Sequence, residues 1–593
     1  MTDWEMSRDM RDNLVDVLVH HAVETPDRTA AVFVHQGDGR QGYERSITYA
    51  ELDRAARSLA VWLRERCASG ERALLLYPAG LEFVKGLLGC LYAGVVPVPA
   101  PMPNARRPHL KGATGIALDA DPSMVLTESG HLASVADWAG QQGLNQMLCI
   151  ATDTVGGRPD QWCRPVISRE PFALLRYSWG SGAEPQGVMI GHDNLVHALE
   201  GHWRTLDLTP QSSLVTWLPV QHGTWLVGTL LTSLFLGSTA VLISTESFLH
   251  EPYLWLDAIS RWRAELSMAP HFAYDLCAEE VTPEQAATLD LSGWRHACTL
   301  VTPTAADTLE RFGERFAASG FQPSAWRVFY RSPGTSGAAA VSTPGKQLPI
   351  TKVDRRALEA NVLAKGTDSD SPQLIGLGTA TGTDVRIVDP RSLRVVPDGT
   401  IGEVWLRGRG LGRGYWNKQD STVRTFRAVT ADGEGGFLRT GDLGAIQDGE
   451  LYISGRLEDV LVLQGRHLYP QHLEQFIEHL DKGFNGLTGR VFAVPVPGRE
   501  AVVVHEWEPD ASPSESPSEL AVTIRDAVAG SHGIALGGLV LVRPGGLPRA
   551  DNGSASRALT RELFVNDALE ALYEDLCPEL LHRYRPAGAP VPR

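Results

Sequence analysis

Short apolar runs alternate along the chain with longer segments whose apolar residues recur every three or four positions. The clearest helix follows Thr48, which is followed three residues later by a glutamate, the signature of a capping box. Residues 72–76 then form a short apolar run that predicts a strand, and residues 81–93 predict a second helix. The same order returns later, with a helix predicted over 225–235 between two short strands. This alternation predicts an α/β fold whose sheets are largely parallel and stacked in layers.

Two later segments alternate apolar and polar residues at a period of two. They are 402–408 and 450–455, and this period is typical of antiparallel strands. Residues 506–519 are rich in proline, serine and acidic residues, which predicts an exposed loop.

The length of 593 residues exceeds what one hydrophobic core can organise, because single cores stop growing at roughly 250–300 residues. A formal net charge of -16 argues against nucleic-acid binding, which needs a basic surface. The most apolar stretches, 73–102 and 230–244, are interrupted by charges and prolines or are too short to span a bilayer. The 7 cysteines are scattered without a CxxC pair, and the first residues lack an apolar signal core. We therefore expect a cytoplasmic protein with no membrane span and no metal site built from cysteines.

Five blocks carry the chemistry. Residues 176–187 read Arg-Tyr-Ser-Trp-Gly-Ser-Gly-Ala-Glu-Pro-Gln-Gly, a composition suited to a loop whose N–H groups and hydroxyls close around phosphates. Two shorter motifs follow, Thr440-Gly-Asp-Leu443 and Gly455-Arg-Leu-Glu-Asp459. The remaining two blocks are 217–222, Trp-Leu-Pro-Val-Gln-His, and 270–276, Pro-His-Phe-Ala-Tyr-Asp-Leu. Taken in their order along the chain, these blocks resemble the fatty acyl-AMP ligase branch of the adenylate-forming enzymes.

The resemblance runs from about Thr25 to Phe564 and implies the architecture of that family. We expect a large N-terminal domain, residues 1–456, of layered α/β subdomains plus a β-barrel-like subdomain. It would be followed by a small mobile α+β domain, residues 457–593. The first would hold the acyl pocket and the remnant of a nucleotide site.

The resemblance also implies roles for single residues. In the family the aspartate at the position of Asp442 binds the ribose hydroxyls, and the arginine at the position of Arg456 contacts the ribose. The remnant nucleotide site would thus consist of Ser178, Gly180, Ser181, Gln186, Asp442 and Arg456. The alternative is that Asp442 and Arg456 each cap a turn or form a pair in the hinge, with no ligand involved.

The chain departs from the family in the phosphate loop. The family has threonine, glycine and lysine where this chain has Gly182, Ala183 and Gln186. Gln186 removes a positive charge from a triphosphate site, where a charge-assisted contact is worth about 1.5–3 kcal/mol. ATP binding should therefore be weakened.

A second departure concerns the metal. The family motif Tyr-Gly-Leu-Ala-Glu-Ala-Thr supplies a glutamate to Mg²⁺, whereas this chain, aligned on Tyr330, places Gly334 at the glutamate position. Mg²⁺ is normally held by one or two carboxylates together with phosphates. Residues 329–340 contain no acidic residue, so a one-residue shift of the alignment does not restore the ligand.

Two further departures affect the adenine side and the small domain. The family's Asn-Gly-Ala-Glu-Pro block reads Thr-Leu-Val-Thr-Pro at 299–303, and Ser554 stands where the family has the lysine that stabilises the α-phosphate. If three of the four departures cost about 2–4 kcal/mol each, adenylation falls by about 10⁵-fold or more. We therefore treat ATP and Mg²⁺ as doubtful cofactors and expect no metal ligands.

The acyl side of the resemblance is better preserved. His222 matches a histidine that the family keeps near the acyl carboxylate, so it is either a general base, a polar group at the acyl end of the pocket, or a structural histidine. Four apolar residues resemble the wall of the acyl tunnel, although core packing explains them equally well: Trp225, Met268, Phe272 and Tyr274.

Three hypotheses for function follow. The first is a non-adenylating or repurposed member of the family that acts on an acyl or acyl-carrier-protein substrate in lipid, polyketide or other natural-product biosynthesis. The second is an ATP-dependent acyl-AMP ligase with compensating residues. The third is a pseudoenzyme that serves as a scaffold for a partner protein.

Overall fold

A computed structural model describes most of the chain. The described residues are 13–36, 43–103, 112–165, 172–178, 185–300, 306–368, 371–378, 382–463, 466–484, 487–496, 501–508, 516–549 and 555–585.

The α-helices in these parts of the chain are α1 (Leu14–Glu24), α2 (Tyr49–Arg64), α3 (Leu81–Ala93), α4 (Gly112–Ala120), α5 (Leu132–Gln141), α6 (His192–Leu206), α7 (Thr232–Leu236), α8 (Thr245–His250), α9 (Tyr253–Arg261), α10 (His271–Glu280), α11 (Pro283–Ala286), α12 (Ala306–Arg315), α13 (Arg355–Glu359), α14 (Gln419–Phe426), α15 (Pro470–Glu478), α16 (Pro517–His532), α17 (Arg557–Val565) and α18 (Pro578–Tyr584).

The strands are β1 (Thr29–His35), β2 (Tyr43–Thr48), β3 (Arg72–Leu75), β4 (Val96–Pro99), β5 (Met124–Thr127), β6 (Leu148–Ala151), β7 (Leu174–Ser178), β8 (Gln186–Ile190), β9 (Ser213–Thr216), β10 (Thr239–Ile243), β11 (Leu266–Met268), β12 (His296–Leu300), β13 (Trp326–Tyr330), β14 (Ala340–Val341), β15 (Ile350–Lys352), β16 (Gln373–Ile375), β17 (Asp384–Val388), β18 (Gly402–Arg407), β19 (Leu438–Gln447), β20 (Glu450–Arg456), β21 (Leu461–Leu463), β22 (Arg466–Leu468), β23 (Gly489–Ala493), β24 (Ala501–Glu506), β25 (Leu536–Val542) and β26 (Ala571–Leu576).

The largest sheet has the strand order β14-β13-β12-β11-β9-β10-β1-β2, and its central neighbours from β13 to β1 run parallel. A second parallel sheet has the order β4-β3-β5-β6. Helices cover these sheets, and one continuous apolar core joins them. The predicted layered α/β architecture is therefore confirmed.

Residues 402–407 and 450–456 form strands β18 and β20, as their alternation predicts. They belong to the antiparallel sheet β17-β18-β19-β20, in which Asp442 lies directly opposite Arg456. This register alone brings the two predicted ribose residues together.

The predicted helix after Thr48 is α2. The Glu51 amide donates to the Thr48 hydroxyl at 3.3 Å, and the Thr48 amide donates to the Glu51 carboxylate at 2.9 Å. Both arms of the capping box are present, so two backbone donors at the helix start are satisfied. Helix α3 likewise has the predicted bounds.

Two segments differ from the prediction. The helix expected over 225–235 begins as a π-helix, Thr224–Leu231, before it continues as α7. The loop expected over 506–519 lies partly outside the described residues, but Glu506 ends strand β24 and is fully buried, and Pro517 begins α16. The proline- and serine-rich composition predicted a loop there, but Ser516 is the N-cap of α16 and forms a capping box with Glu519.

Apolar residues from Leu461 onward pack mainly among themselves, in two clusters on either side of the sheet β23-β24-β25-β26. Links back to the earlier chain include the ion pair of Arg466 with Glu359 at 2.8 Å and the hydrogen bond from Gln471 to the Ser454 carbonyl at 2.7 Å. This packing is compatible with a small second domain, whose boundary after Arg456 stays a prediction.

Candidate functional site at the carboxyl edge of the main sheet

The chain crosses one edge of the large sheet at the ends of β9 and β13. Because parallel strands present their carboxyl ends at the same edge, the segments that follow these two strands lie close together. The first carries His222 and Gly223, and the second begins with Arg331. The hairpin β7–β8 adds Arg176 from a third direction.

Arg176 connects the hairpin to the segment after β13. Its side chain is almost completely buried, with 2% exposed, and Nη2 donates to the carbonyl oxygens of Pro333 at 2.5 Å and Thr335 at 2.9 Å. Its Nε and Nη1 atoms are buried and have no hydrogen-bond partner among the described residues. One side of the guanidinium thus holds the loop, and the other side has unused donors.

Gly223 marks the point where two guanidinium groups converge. A Cβ atom placed on Gly223 would lie 2.3 Å from Nη1 of Arg331 and 2.7 Å from Nη1 of Arg176. The Nη1 atom of Arg331 is also buried without a partner in the described part of the chain. Within the same part, neither arginine forms an ion pair with a carboxylate. The site therefore concentrates positive charge that no carboxylate of the described residues neutralises.

His222 lies beside this pair. Burial, and then the charges of Arg331 and Arg176, lower the pKa of His222 to about 3. The imidazole is therefore neutral near pH 7 and is a weak base, far from the pKa near the working pH that suits general-base catalysis. Its Nδ1 atom is buried and has no partner among the described residues. Of the roles predicted for His222, this environment favours a neutral polar group.

Gly334, the predicted counterpart of the magnesium glutamate, is buried in an apolar setting. A Cβ atom there would lie 2.7 Å from Cδ1 of Leu438 and 3.2 Å from Cε1 of Phe426. No longer side chain fits without moving Leu438. Because two guanidinium groups also lie nearby in sequence and space, the residues present do not fit a Mg²⁺ ion at this position.

The predicted ribose residues Asp442 and Arg456 face each other on β19 and β20, and Glu458 lies in the turn that follows. We call these three residues the ribose turn. Tyr330 donates its hydroxyl to Oδ2 of Asp442 at 2.9 Å, and Arg456 Nε lies 3.6 Å from Oδ1. Arg456 also pairs with Glu458 at 3.0 Å. Burial raises the pKa of Asp442 to about 6, although Arg456 and the Tyr330 hydrogen bond act in the opposite direction. Pairing within the protein therefore accounts for both residues, and their nucleotide role stays a prediction.

The rest of the predicted phosphate side is only partly described. Gly180, Ser181 and Ser554 lie outside the described residues, and of Ser178 only the backbone, at the end of β7, is described. Gln186 begins β8 and is partly buried.

A cation that the sequence analysis overlooked lies next to Gln186. Lys418 donates Nζ to the Pro185 carbonyl at 2.5 Å and pairs with Asp119 at 3.1 Å.

An apolar cavity lies beside the arginine pair, with about 210 Å³ of empty space, part of which is open solvent. Its wall includes Thr224, next to Gly223, and Phe329, two residues before Arg331. The complete lining is Leu218, Thr224, Met268, Ala269, Pro270, Cys298, Thr299 and Phe329. The Thr224 hydroxyl is buried and lacks a partner within the described residues.

The predicted acyl-pocket residues separate into two groups. Met268 lines the cavity, and Phe272 is partly buried against Trp217, with ring centroids 6.0 Å apart. Tyr274 is fully buried in an aromatic cluster and donates its hydroxyl to the Cys298 carbonyl at 2.7 Å. Trp225 is fully buried against Phe83. Tyr274 and Trp225 are therefore explained by core packing, and their role in acyl binding stays a prediction.

Three residues that shape this edge were missed as site residues in the sequence: Arg176, Arg331 and Lys418. Arg176 and Arg331 stand inside motifs in which only the missing family residues were considered. An unexpected arginine in such a motif was the signal that could have identified them. Among the described residues, no three histidine, cysteine or acidic side chains are grouped to hold a metal ion. No helix in the described ranges is long and apolar enough to cross a membrane.

The sequence profile of AMP-binding enzymes matches residues 18–416, more than half of the chain. A medium-chain-fatty-acid–[acyl-carrier-protein] ligase, JamA of Moorena producens, is 33% identical over 95% of this chain and 97% of its own. A 4-hydroxyphenylalkanoate adenylyltransferase of Mycobacterium tuberculosis is 30% identical over 94% and 93%. The crystal structure of a fatty acid AMP ligase from Legionella pneumophila matches with a TM-score of 0.74 at 27% identity, covering 96% and 99%.

The chain therefore belongs to the AMP-binding enzyme family and, within it, to the fatty acyl-AMP ligase branch.

Proposed function

We propose that this chain binds an acyl substrate in the manner of its branch but has lost efficient ATP- and Mg²⁺-dependent adenylation. On this proposal it is a non-adenylating or repurposed member that acts on an acyl or acyl-carrier-protein substrate. The N-terminal part up to Arg456 would hold the acyl pocket, and the remainder would form a separate small domain. The scattered free cysteines favour the cytoplasm.

The observation that carries the proposal is the environment of Gly334. The position at which the family presents its magnesium carboxylate is packed against Leu438 and Phe426, with only 2.7 Å between the expected Cβ and the leucine. A carboxylate there would require the Leu438 side chain to move, so the local packing fits the glycine. The two guanidinium groups near Gly223 add repulsion toward any divalent cation.

The acyl side supports the other half of the proposal. The cavity that includes Met268 is apolar, and it adjoins the segment of His222. JamA, as its name states, ligates medium-chain fatty acids to an acyl carrier protein. An acyl chain, free or attached to a carrier protein, is therefore the substrate class that we propose.

A second candidate is an ATP-dependent acyl-AMP ligase with compensating residues. It is favoured by the 33% identity to JamA and by the cations at this edge, since Arg176 and Arg331 carry unused donors that suit phosphate oxygens. In that case the two arginines would replace the lysines of the family.

Pyrophosphate release, measured over a panel of fatty acids with ATP and Mg²⁺, separates the two candidates. We expect no release above background for any chain length, and calorimetry should show ATP binding that is weak and unaffected by Mg²⁺. JamA, assayed in parallel, serves as the active reference. Robust release that depends on the fatty acid would contradict the proposal and establish the second candidate.

A further inference from the structure

We propose that Arg176 and Arg331, together with His222, form a metal-free binding site for the carboxylate of an acyl chain whose tail enters the adjoining apolar cavity. This inference rests on the proposed acyl substrate and adds the group that recognises its charged end. It concerns residues for which the family motif offers no role. Both arginines stand inside motifs whose departures from the family were described at other positions.

The first support is that neither guanidinium group has an acidic partner among the residues that the structure describes. Arg176 is 2% exposed, and both guanidinium groups approach the Cβ position of Gly223 to less than 3 Å. Burial lowers the pKa of Arg331 to about 10, and burial together with the neighbouring Arg331 lowers the pKa of Arg176 well below its usual value. A buried cation without a counter-charge is costly, so a bound anion is the simplest explanation for two of them side by side.

The second support is a set of unused hydrogen-bonding atoms around the same point. Among the described residues, Nε and Nη1 of Arg176, Nη1 of Arg331, Nδ1 of His222 and the Thr224 hydroxyl are all buried without partners. Buried polar atoms in proteins are nearly always hydrogen-bonded, so such a cluster indicates a missing polar ligand. Guanidinium groups match planar carboxylates through paired hydrogen bonds.

The third support distinguishes a carboxylate from a phosphate. Thr224 follows Gly223 directly and lines the apolar cavity, and Phe329 precedes Arg331 by two residues and lines it as well. The ligand that fits this neighbourhood has an anionic end and an apolar body. A carboxylate carries one charge and is less costly to desolvate than a phosphate dianion.

Isothermal titration calorimetry of the full chain tests the proposal with octanoate as the probe, in the absence of ATP and with EDTA present. We expect octanoate to bind and octanamide, which has nearly the same shape without the charge, to bind at least tenfold more weakly. Arg331→Gln should weaken octanoate binding by ten- to a hundred-fold and leave octanamide unchanged, since charge-assisted hydrogen bonds carry most of the difference. Arg331→Lys, which keeps the charge but not the fork, should fall in between.

Arg295→Gln is the matched control, because this arginine is about half exposed and pairs with Glu265 away from the site. It should not change octanoate binding. Equal affinity for octanoate and octanamide in the wild type would overturn the proposal without any variant, while the proposed function would stand. Tighter Arg331-dependent binding of octyl phosphate or pyrophosphate would also overturn it, because the site would then be a phosphate site. Pyrophosphate release in the assay described above would instead contradict the proposed function.

Discussion

Two groups of charged side chains lie near the carboxyl edge of the main sheet, and they differ in whether opposite charges are paired. The ribose turn contains Asp442, Arg456 and Glu458, and each of them has an oppositely charged partner within 3.6 Å. The arginine pair of Arg176 and Arg331 has no acidic partner in the described residues. The charges of the first group are paired, although Nε of Arg456 has no hydrogen-bond partner in the described part of the chain, whereas the second group lacks a counter-charge there.

The difference shows where a ligand is needed to explain the structure. A paired buried charge can persist for folding reasons alone, because its partner compensates part of the desolvation penalty. An unpaired one lowers stability by several kcal/mol unless something binds it. The ribose turn therefore says little about whether a nucleotide binds, although it matches the family motif. The arginine pair, which the family motif does not describe, says more about function.

The largest effect should come from supplying the arginine pair with an internal carboxylate. Gly223→Asp places an acid next to both guanidinium groups, and the backbone there, at φ −60°, accepts any residue. We expect octanoate binding to fall by about a hundred-fold or more, because the aspartate occupies the anion site. Calorimetry measures the loss.

Gly223→Ala is the control for that substitution, since it adds the same Cβ without charge. It also displaces the Arg331 side chain, so some weakening is expected, but less than with aspartate. Equal losses in the two variants would show that space and not charge governs the site.

The next effect separates the two arginines by stability. Arg176→Met removes two hydrogen bonds to the carbonyls of Pro333 and Thr335 and should lower stability by about 2–4 kcal/mol. Arg331→Met removes a buried charge that has no acidic partner within the described ranges, and it should raise stability by about 1–2 kcal/mol in the absence of ligand. Thermal midpoints without added fatty acid measure both. A loss of stability in Arg331→Met would mean that Arg331 is held by the protein after all.

Much of the fold could be predicted from the sequence, because local signals and the fold agreed. The Thr48 capping box, the bounds of α3 and the period-two strands at 402–407 and 450–456 all appear as expected. Local signals also explain why the loop predicted over 506–519 is wrong at its two ends. Ser516 and Glu519 form a capping box that was visible in the sequence, but composition was given more weight.

The site was less predictable for a physical reason. A family residue that is missing can be recognised within its motif, so the departures at Gly334 and Gln186 were found. Which residues take the place of the missing ones depends on which chain segments meet in the folded protein. Arg176 and Arg331 are 155 positions apart and converge because the side chain of Arg176 bonds to the segment that follows β13. The same limit applies to Tyr274, whose place in an aromatic cluster follows from packing and not from its motif.

In the ribose turn, the pH dependence of stability should reveal Asp442. Its pKa is raised from 3.8 to about 6 by burial, so the folded protein binds a proton that the unfolded chain has released between these values. Stability linked to this group is therefore complete below about pH 4 and is lost as pH rises through 6, by about 3 kcal/mol at most. Asp442→Asn should lack this loss. The midpoint of the variant relative to the wild type should rise between pH 4 and pH 7.

Arg456, Glu458, Glu403 and Tyr330 are the groups that influence this titration. Glu458→Gln is a useful control, because it removes a neighbouring negative charge and should lower the pKa of Asp442 while leaving its burial unchanged. A flat difference between Asp442→Asn and the wild type across this range would mean that the carboxylate is already ionised when the protein is folded.

The smallest effect concerns the hydrogen bond that completes the ribose turn. Tyr330→Phe removes the hydroxyl that donates to Asp442 at 2.9 Å and should lower stability by about 1 kcal/mol at pH 8. The loss should be smaller at pH 4, where the carboxyl is protonated and accepts more weakly, so thermal midpoints at both pH values are needed. Because Tyr330 directly precedes Arg331, the same variant also tests whether the two groups of charges are independent. Unchanged octanoate binding in Tyr330→Phe would show that the ribose turn is completed by the protein alone, while the arginine pair depends on its ligand.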